Sequence, residues 1–253
     1  MQNCTCANLY ENEVLRESLG ETLRPGGFKL TERAAQLISL KPGDKVLDIG
    51  SGMGDTVNYL NKNYSVDGKG VEPSEILINE AGKKYPGICI LKGTGESIPA
   101  DDCSMDAVFA ECTMSLMDDL EKVICESHRV LKFGGSLVIT DVYARNSEHL
   151  EELNQFKMKS CLRGMLDLQK LHKWLFNQGF YIQHSEDHTD CLKQLTVNLI
   201  FKFGSMALFW KTVAGCGEDM DQFKEILSRC KPGYFLIVCK KDLRGLFYGH
   251  EGF

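Results

Sequence analysis

The sequence predicts an α/β fold, a seven-stranded and mostly parallel sheet with helices on both faces and a helical insertion before the last strand. Three observations carry that reading. Short segments at 46–49, 68–72, 88–91, 106–111, 136–140, 181–185 and 234–239 read as strands, several of them apolar runs, and most alternate with amphipathic helical stretches, as in βαβ units. At 46–60 a strand feeds a glycine turn and a helix N-terminus, which in open sheets marks a nucleoside-cofactor site. The long stretch between the last two runs carries Phe201, Phe203, Met206, Leu208, Phe209 and Trp210, too apolar for a solvated loop.

Composition bounds the function. A chain of 253 residues suits one domain with an insertion and a substantial core. The net charge of −6 comes without a dense Lys/Arg run, which argues against a nucleic-acid partner. No apolar run reaches the roughly 18 residues of a membrane span. Met1 to Cys6 has neither a basic nor an apolar signal region, so no signal peptide is expected. Eleven cysteines, an odd count, then point to reduced thiols and a cytoplasmic protein.

Taken in order, residues 1–27 form an acidic N-terminal segment, mobile or helical, in which Cys4 and Cys6 read as tail thiols. Residues 28–241 form the main domain. Phe28 to Leu40 puts Leu30, Ala34, Leu37 and Ile38 on one helical face, and Pro42-Gly43-Asp44 leads into the first strand. A helix begins at Asp55 and buries Val57 and Leu60. Ser74 is a cap candidate for the helix after the second strand. Helices over 119–131 and 168–178 flank the fifth strand and precede the sixth. The insertion, 190–231, is expected to be helical and to cap the acceptor site, and 242–253 is a C-terminal tail. His184 and His188 stand four apart, but in strand and loop, so no metal site is expected there.

The chemistry is concentrated in Asp48-Ile49-Gly50-Ser51-Gly52-Met53-Gly54-Asp55. A dinucleotide fingerprint needs a small third residue where Asp55 stands, and a phosphate-cradling loop needs Gly-Lys-Ser/Thr, which is missing. Asp48 instead sets a carboxylate near a bound cation. Glu72, 22 residues after Gly50, closes the second strand where an acid can accept hydrogen bonds from both ribose hydroxyls.

The Asp-x-Gly-x-Gly-x-Gly pattern resembles the first motif of class I S-adenosylmethionine (SAM) methyltransferases, with their Rossmann-like fold and a quinone-methyltransferase-like core. Gly93-Thr94-Gly95-Glu96-Ser97-Ile98-Pro99 is similar to the loop of that family that lies along the adenine. Arg129-Val130-Leu131-Lys132-Phe133-Gly134-Gly135 is similar to its signature before the fifth strand. The resemblance implies SAM as cofactor, held by Asp48, Gly50, Gly52, Gly54, Glu72, Thr94, Gly95, Glu96 and Glu111. It also implies an antiparallel pairing of the sixth and seventh strands, and methyl transfer to a small-molecule acceptor of undetermined identity.

A narrower resemblance, to arsenite methyltransferases, rests on Cys112 after the fourth strand and Cys161 in Cys161-Leu162-Arg163-Gly164-Met165-Leu166. It implies that the two sulfurs converge as the acceptor site and hold a soft metalloid. Glu111 and Met165 depart from that family's neighbours, and its further cysteine has no counterpart between Ala7 and Gly50. A third reading is a SAM-binding protein that does not catalyse. The oligomeric state is not legible.

Overall fold

The computed structural model describes residues 9–11, 22, 24–214 and 220–242. The expectations for Cys4, Cys6 and the tail beyond 242 lie outside the described residues.

Helix α1 (Gly27–Leu37) precedes β1 (Lys45–Ile49), α2 (Asp55–Tyr64), β2 (Asp67–Glu72), α3 (Glu75–Lys84) and β3 (Ile90–Lys92). Then come β4 (Met105–Glu111), α4 (Leu120–Val130), β5 (Leu131–Ala144), the single turn α5 (Leu150–Leu153), α6 (Leu168–Asn177) and β6 (Phe180–Asp187). Helices α7 (Thr189–Phe203), α8 (Met206–Ala214) and α9 (Met220–Cys230) lead to β7 (Pro232–Lys241). The strands form one sheet in the order β3-β2-β1-β4-β5-β7-β6, parallel except for β7, which runs antiparallel to both neighbours. The order reverses between β1 and β4, so a crevice opens beyond their carboxyl ends.

Strand alternation divides the core. Val46, Ala107, Phe109, Val138 and Val238 face one cluster with Leu30 and Ala34 of α1, Leu60 of α2, and Phe209, Trp210 and Phe223 of the insertion. Leu47, Ile49, Val108, Ala110, Leu137 and Ile139 face the other, against Val123 and Ile124 of α4 and Leu171 and Leu175 of α6. With both faces covered, the central strands β4, β5 and β7 are buried at most positions, whereas the edge strand β6 alternates between buried and more exposed residues.

Helix starts follow capping chemistry. Ser74 Oγ accepts from the Leu77 amide at 3.3 Å, Asp119 from Lys122 at 3.0 Å, and Asp167 from Gln169 at 2.9 Å. The fifth strand is longer than the apolar run suggests, beginning at Leu131. Lys132 there binds Asp106 at 2.7 Å, and the Lys241 ammonium lies 4.9 Å from the centre of the exposed Phe133 ring. Helices fill the described part of the insertion. Their buried side chains pack on the α1 face of the sheet, and none of those described lines the cleft below; Phe201 points outward, 85% exposed.

Candidate active site

The crevice is a cleft of about 400 Å³ bordered by the β1–α2 turn, the end of β2, the 94–96 loop and the residues after β4. Its glycines have separate reasons. Gly50 has φ +67, and a Cβ there would overlap Thr113 Oγ1. Gly52, at φ +53, would project a Cβ into open cleft, meeting no protein atom within 4 Å. Gly54 caps α2, and a Cβ there would be directed at Ile88 and Ile90; it does not line the cleft.

Two carboxylates meet where β1 and β4 lie side by side. Glu111 is spoken for by protein donors: Arg24 Nη2 at 2.7 Å, Thr31 Oγ1 at 2.9 Å and Thr56 Oγ1 at 2.9 Å. Asp48 is buried, lines the cleft, and has no hydrogen-bond partner among the described residues. Burial first, then Glu111, raise its pKa well above the usual carboxylate range, against the pull of Arg24. Ser51 Oγ is likewise buried and unpartnered among the described residues. Glu72 accepts from the amides of Gly52 and Ser74, each at 3.0 Å, which fixes its orientation and leaves lone pairs free. Burial raises its pKa and those two amides oppose the rise. Thr94, Gly95 and Glu96 line the cleft, with Glu96 accepting from the Asp118 amide at 3.0 Å.

Cys112 follows β4 in the left-handed region, φ +57, while its amide still reaches Thr140 at 2.6 Å. That conformation costs a non-glycine residue of order 1–3 kcal/mol and concentrates at functional sites. It sets the thiol near enough to Cys161 for the two sulfurs to shift each other's ionisation. The interaction raises Cys112 well above the usual thiol range, with burial adding to the rise, and lowers Cys161, whose burial opposes the fall. Tyr10 also bonds the Cys161 sulfur, and its hydroxyl accepts from the Cys161 amide at 3.4 Å. Cys112 and Tyr10 line the cleft and Cys161 stands behind them. Asp141, fully buried, holds this corner by accepting from the Ser115 amide at 2.9 Å, Ser115 Oγ at 2.7 Å and the Val142 amide at 2.7 Å. Burial pushes its carboxyl up to about 6.

The structure thus gathers every residue of the expected cofactor set except Gly54 along one cleft, and it joins the two cysteines. Sequence reasoning missed Tyr10, Thr22 and Arg24, which close the cleft from the N-terminal side. A signal existed for Arg24. Acids ending two adjacent buried strands call for a buried cation nearby.

A sheet of this order with a glycine turn and an acid at its switch point defines a doubly wound, Rossmann-like α/β protein with an open crevice at that point. Residues 47–139 match the family model described as a methyltransferase domain. The chain is 30% identical over 172 residues to phosphoethanolamine N-methyltransferase 3 of Arabidopsis thaliana, covering 65% of this chain and 34% of that protein. The chain therefore spans about a third of the length of such plant relatives. With demethylmenaquinone methyltransferase of Chlorobaculum tepidum it shares 36% identity over 118 residues, 47% of this chain and 49% of that one. Phosphoethanolamine N-methyltransferase 2 of Haemonchus contortus, solved with S-adenosyl-L-methionine, superposes with a TM-score of 0.65 at 18% identity, over 88% of this chain and 54% of that one.

Proposed function

We propose that this chain transfers a methyl group from SAM to a small-molecule acceptor. The observation that carries the reading is the cleft itself, in which an unpartnered buried Asp48 and an oriented Glu72 flank open space above Gly52. The donors fit the cofactor. Asp48 offers a carboxyl group whose charged form the cationic amino-acid end favours, Glu72 takes the two ribose hydroxyls, and Gly52 leaves room for close approach of the backbone. Thr94, Gly95 and Glu96 flank the base. When bound, SAM supplies a sulfonium methyl that passes to an incoming lone pair and leaves a neutral thioether. The chain's own contribution is alignment of the acceptor along the line of displacement and exclusion of water. Arg24 balances the charge of Glu111 and the Thr31 and Thr56 hydroxyls donate to it, so the floor of the cleft does not carry two competing charges. The free thiols described suit a reducing, cytoplasmic compartment, and no helix among the described residues is long and apolar enough to cross a membrane.

Calorimetric titration of SAM into wild type and Glu72→Ala tests the assignment. Loss of the ribose acceptor weakens binding about 10- to 150-fold. Equal affinity in the two proteins refutes it.

One observation favours a second reading, an arsenite-type methyltransferase. The Cys112 and Cys161 thiols lie near enough to shift each other's ionisation, and two sulfurs can share a soft metalloid. The third group at the pair is Tyr10, where that chemistry would prefer sulfur. Assays with arsenite, methylarsenite and selenite decide it. Turnover that survives both Cys112→Ser and Cys161→Ser excludes the metalloid site.

A further inference from the structure

A second cleft, of about 340 Å³, adjoins the first and shares Leu116, Met117, Asp118 and Lys159 with it. Its floor is apolar, with Met165, Leu166 and Leu171 buried, and Arg163 lies in its wall. Six arginines lie among the described residues, and five hold an acceptor: Arg24 with Glu111, Arg33 with Glu186, Arg129 with Glu126, Arg145 with the Lys231 carbonyl and Arg229 with Glu152. Arg163 has none among the described residues, and its Nε is buried. A guanidinium led into a cleft without a counter-ion is an incomplete pair, since leaving such donors unmet costs free energy.

The placement is fixed by the backbone. Arg163 and Gly164 donate to the Ser160 carbonyl at 3.1 Å, and a Cβ on Gly164 would overlap the Ser115 carbonyl. The same turn that sets Cys161 beside Cys112 therefore sets Arg163 in the neighbouring cleft. The acids that line the cleft do not answer it. Asp118 lies 3.4 Å from Lys159, Asp167 is used as the cap of α6, and Glu151 is exposed. Lys170 adds a cation that has no ion-pair partner among the described residues.

We propose that this cleft binds an anionic end of the methyl acceptor, a carboxylate or a phosphate, on the fork of Arg163. The inference rests on the methyltransferase reading and deepens it. The acceptor is an acid or a phosphomonoester whose nucleophilic atom reaches past Leu116 and Met117 to the cofactor. Arginine suits this because its planar donors match two oxygens of one anion at once, and an apolar floor strengthens the pair by excluding water.

Trp174 lines the cleft, whereas the other tryptophan, Trp210, is buried among Phe209 and Phe223. Tryptophan fluorescence of the SAM-saturated chain, titrated with inorganic phosphate and separately with acetate at constant ionic strength, therefore reports on this site. We expect a saturable change with at least one anion, and the anion that produces it identifies a phosphate or a carboxylate. Arg163→Gln weakens that titration about tenfold or more, while SAM binding by calorimetry is retained. A titration unchanged in Arg163→Gln, or no saturable response to either anion, overturns the proposal. Should that variant fail to fold, phenylglyoxal labelling of Arg163 in the wild-type chain substitutes. Slower labelling in the presence of the responding anion supports the site, and an unchanged rate refutes it. Failure of wild type to bind SAM would instead refute the cofactor assignment.

Discussion

Replacing Arg24 by methionine tests how the cleft is held together. The Arg24 and Glu111 side chains are 10% and 2% exposed, and their ion pair is 2.7 Å long. Methionine keeps much of the stem and removes the charge, so Glu111 is left buried with only the Thr31 and Thr56 hydroxyls, beside Asp48. Breaking one partner of a buried pair costs about 3–5 kcal/mol, most of it the stranded charge and little of it the lost attraction. For a domain of this size that is a fall in Tm of about 6–20 °C. Because Arg24 also lowers the pKa of Asp48, SAM affinity falls with it. The assay is thermal unfolding of wild type, Arg24→Met, Glu111→Gln and the double variant. The stranded-charge argument requires the double variant to recover much of the loss. A double variant as unstable as the sum of the singles, or an Arg24→Met Tm within about 2 °C of wild type, refutes it.

Other expectations follow from the same geometry. Gly52→Ala meets no protein atom, so only its positive φ costs stability, about 1 kcal/mol, while SAM affinity drops. Gly50→Ala costs more because its Cβ strikes Thr113; comparing Tm and calorimetry for the pair checks both statements. Asp141, held near 6 in the fold, is above its unfolded value, so its contribution is present below about pH 4 and lost as pH rises through 6. Relative to Asp141→Asn, wild type should lose about 3 kcal/mol between those limits, read by urea unfolding across the window; a constant difference refutes the shift. Cys161 is the thiol poised to ionise, so iodoacetamide modifies it at lower pH than an ordinary thiol. Cys112→Ala removes the neighbouring thiol and moves the profile upward, measured by mass spectrometry of the alkylated chain.

Strands, helices and their order were legible because a sheet covered on both faces writes its central strands as apolar runs. The run at 136–140 gave the buried centre of β5 alone. Its first residues, Lys132 and Phe133, are held by Asp106 and Lys241, contacts to other elements that a local pattern does not contain. The insertion was legible as helix for the same reason that its position was not. Phe209, Trp210 and Phe223 announce a buried face, but whether that face covers a cleft or a sheet depends on what else competes for the sheet. Here the sheet won, and Tyr10, Thr22 and Arg24 close the cleft instead.

The site divides along a similar line. Residues whose role follows from backbone shape, Gly50 and Gly52, could be read from spacing, because few residues reach those φ values and fewer leave the ligand room. Residues whose role follows from charge balance could be read only in half. Asp48 and Glu111 were both counted as cofactor groups, yet only Asp48 is left without a protein partner, because Arg24 is long enough to reach Glu111 from the far side of the cleft. Arg163 is the converse case. It sat unremarked inside the motif read for its cysteine, and only the partners of the other described arginines make its missing one visible. The left-handed φ of Cys112, just past the end of β4, is a cost the fold has no need to bear for packing alone, and the close approach of Gly164 to the Ser115 carbonyl fixes the turn between α5 and α6 that carries Cys161 and Arg163. Cys112 lines the cofactor cleft and Arg163 the neighbouring one, and the two clefts share Leu116, Met117, Asp118 and Lys159, the stretch an acceptor would have to span to meet a methyl group held above Gly52.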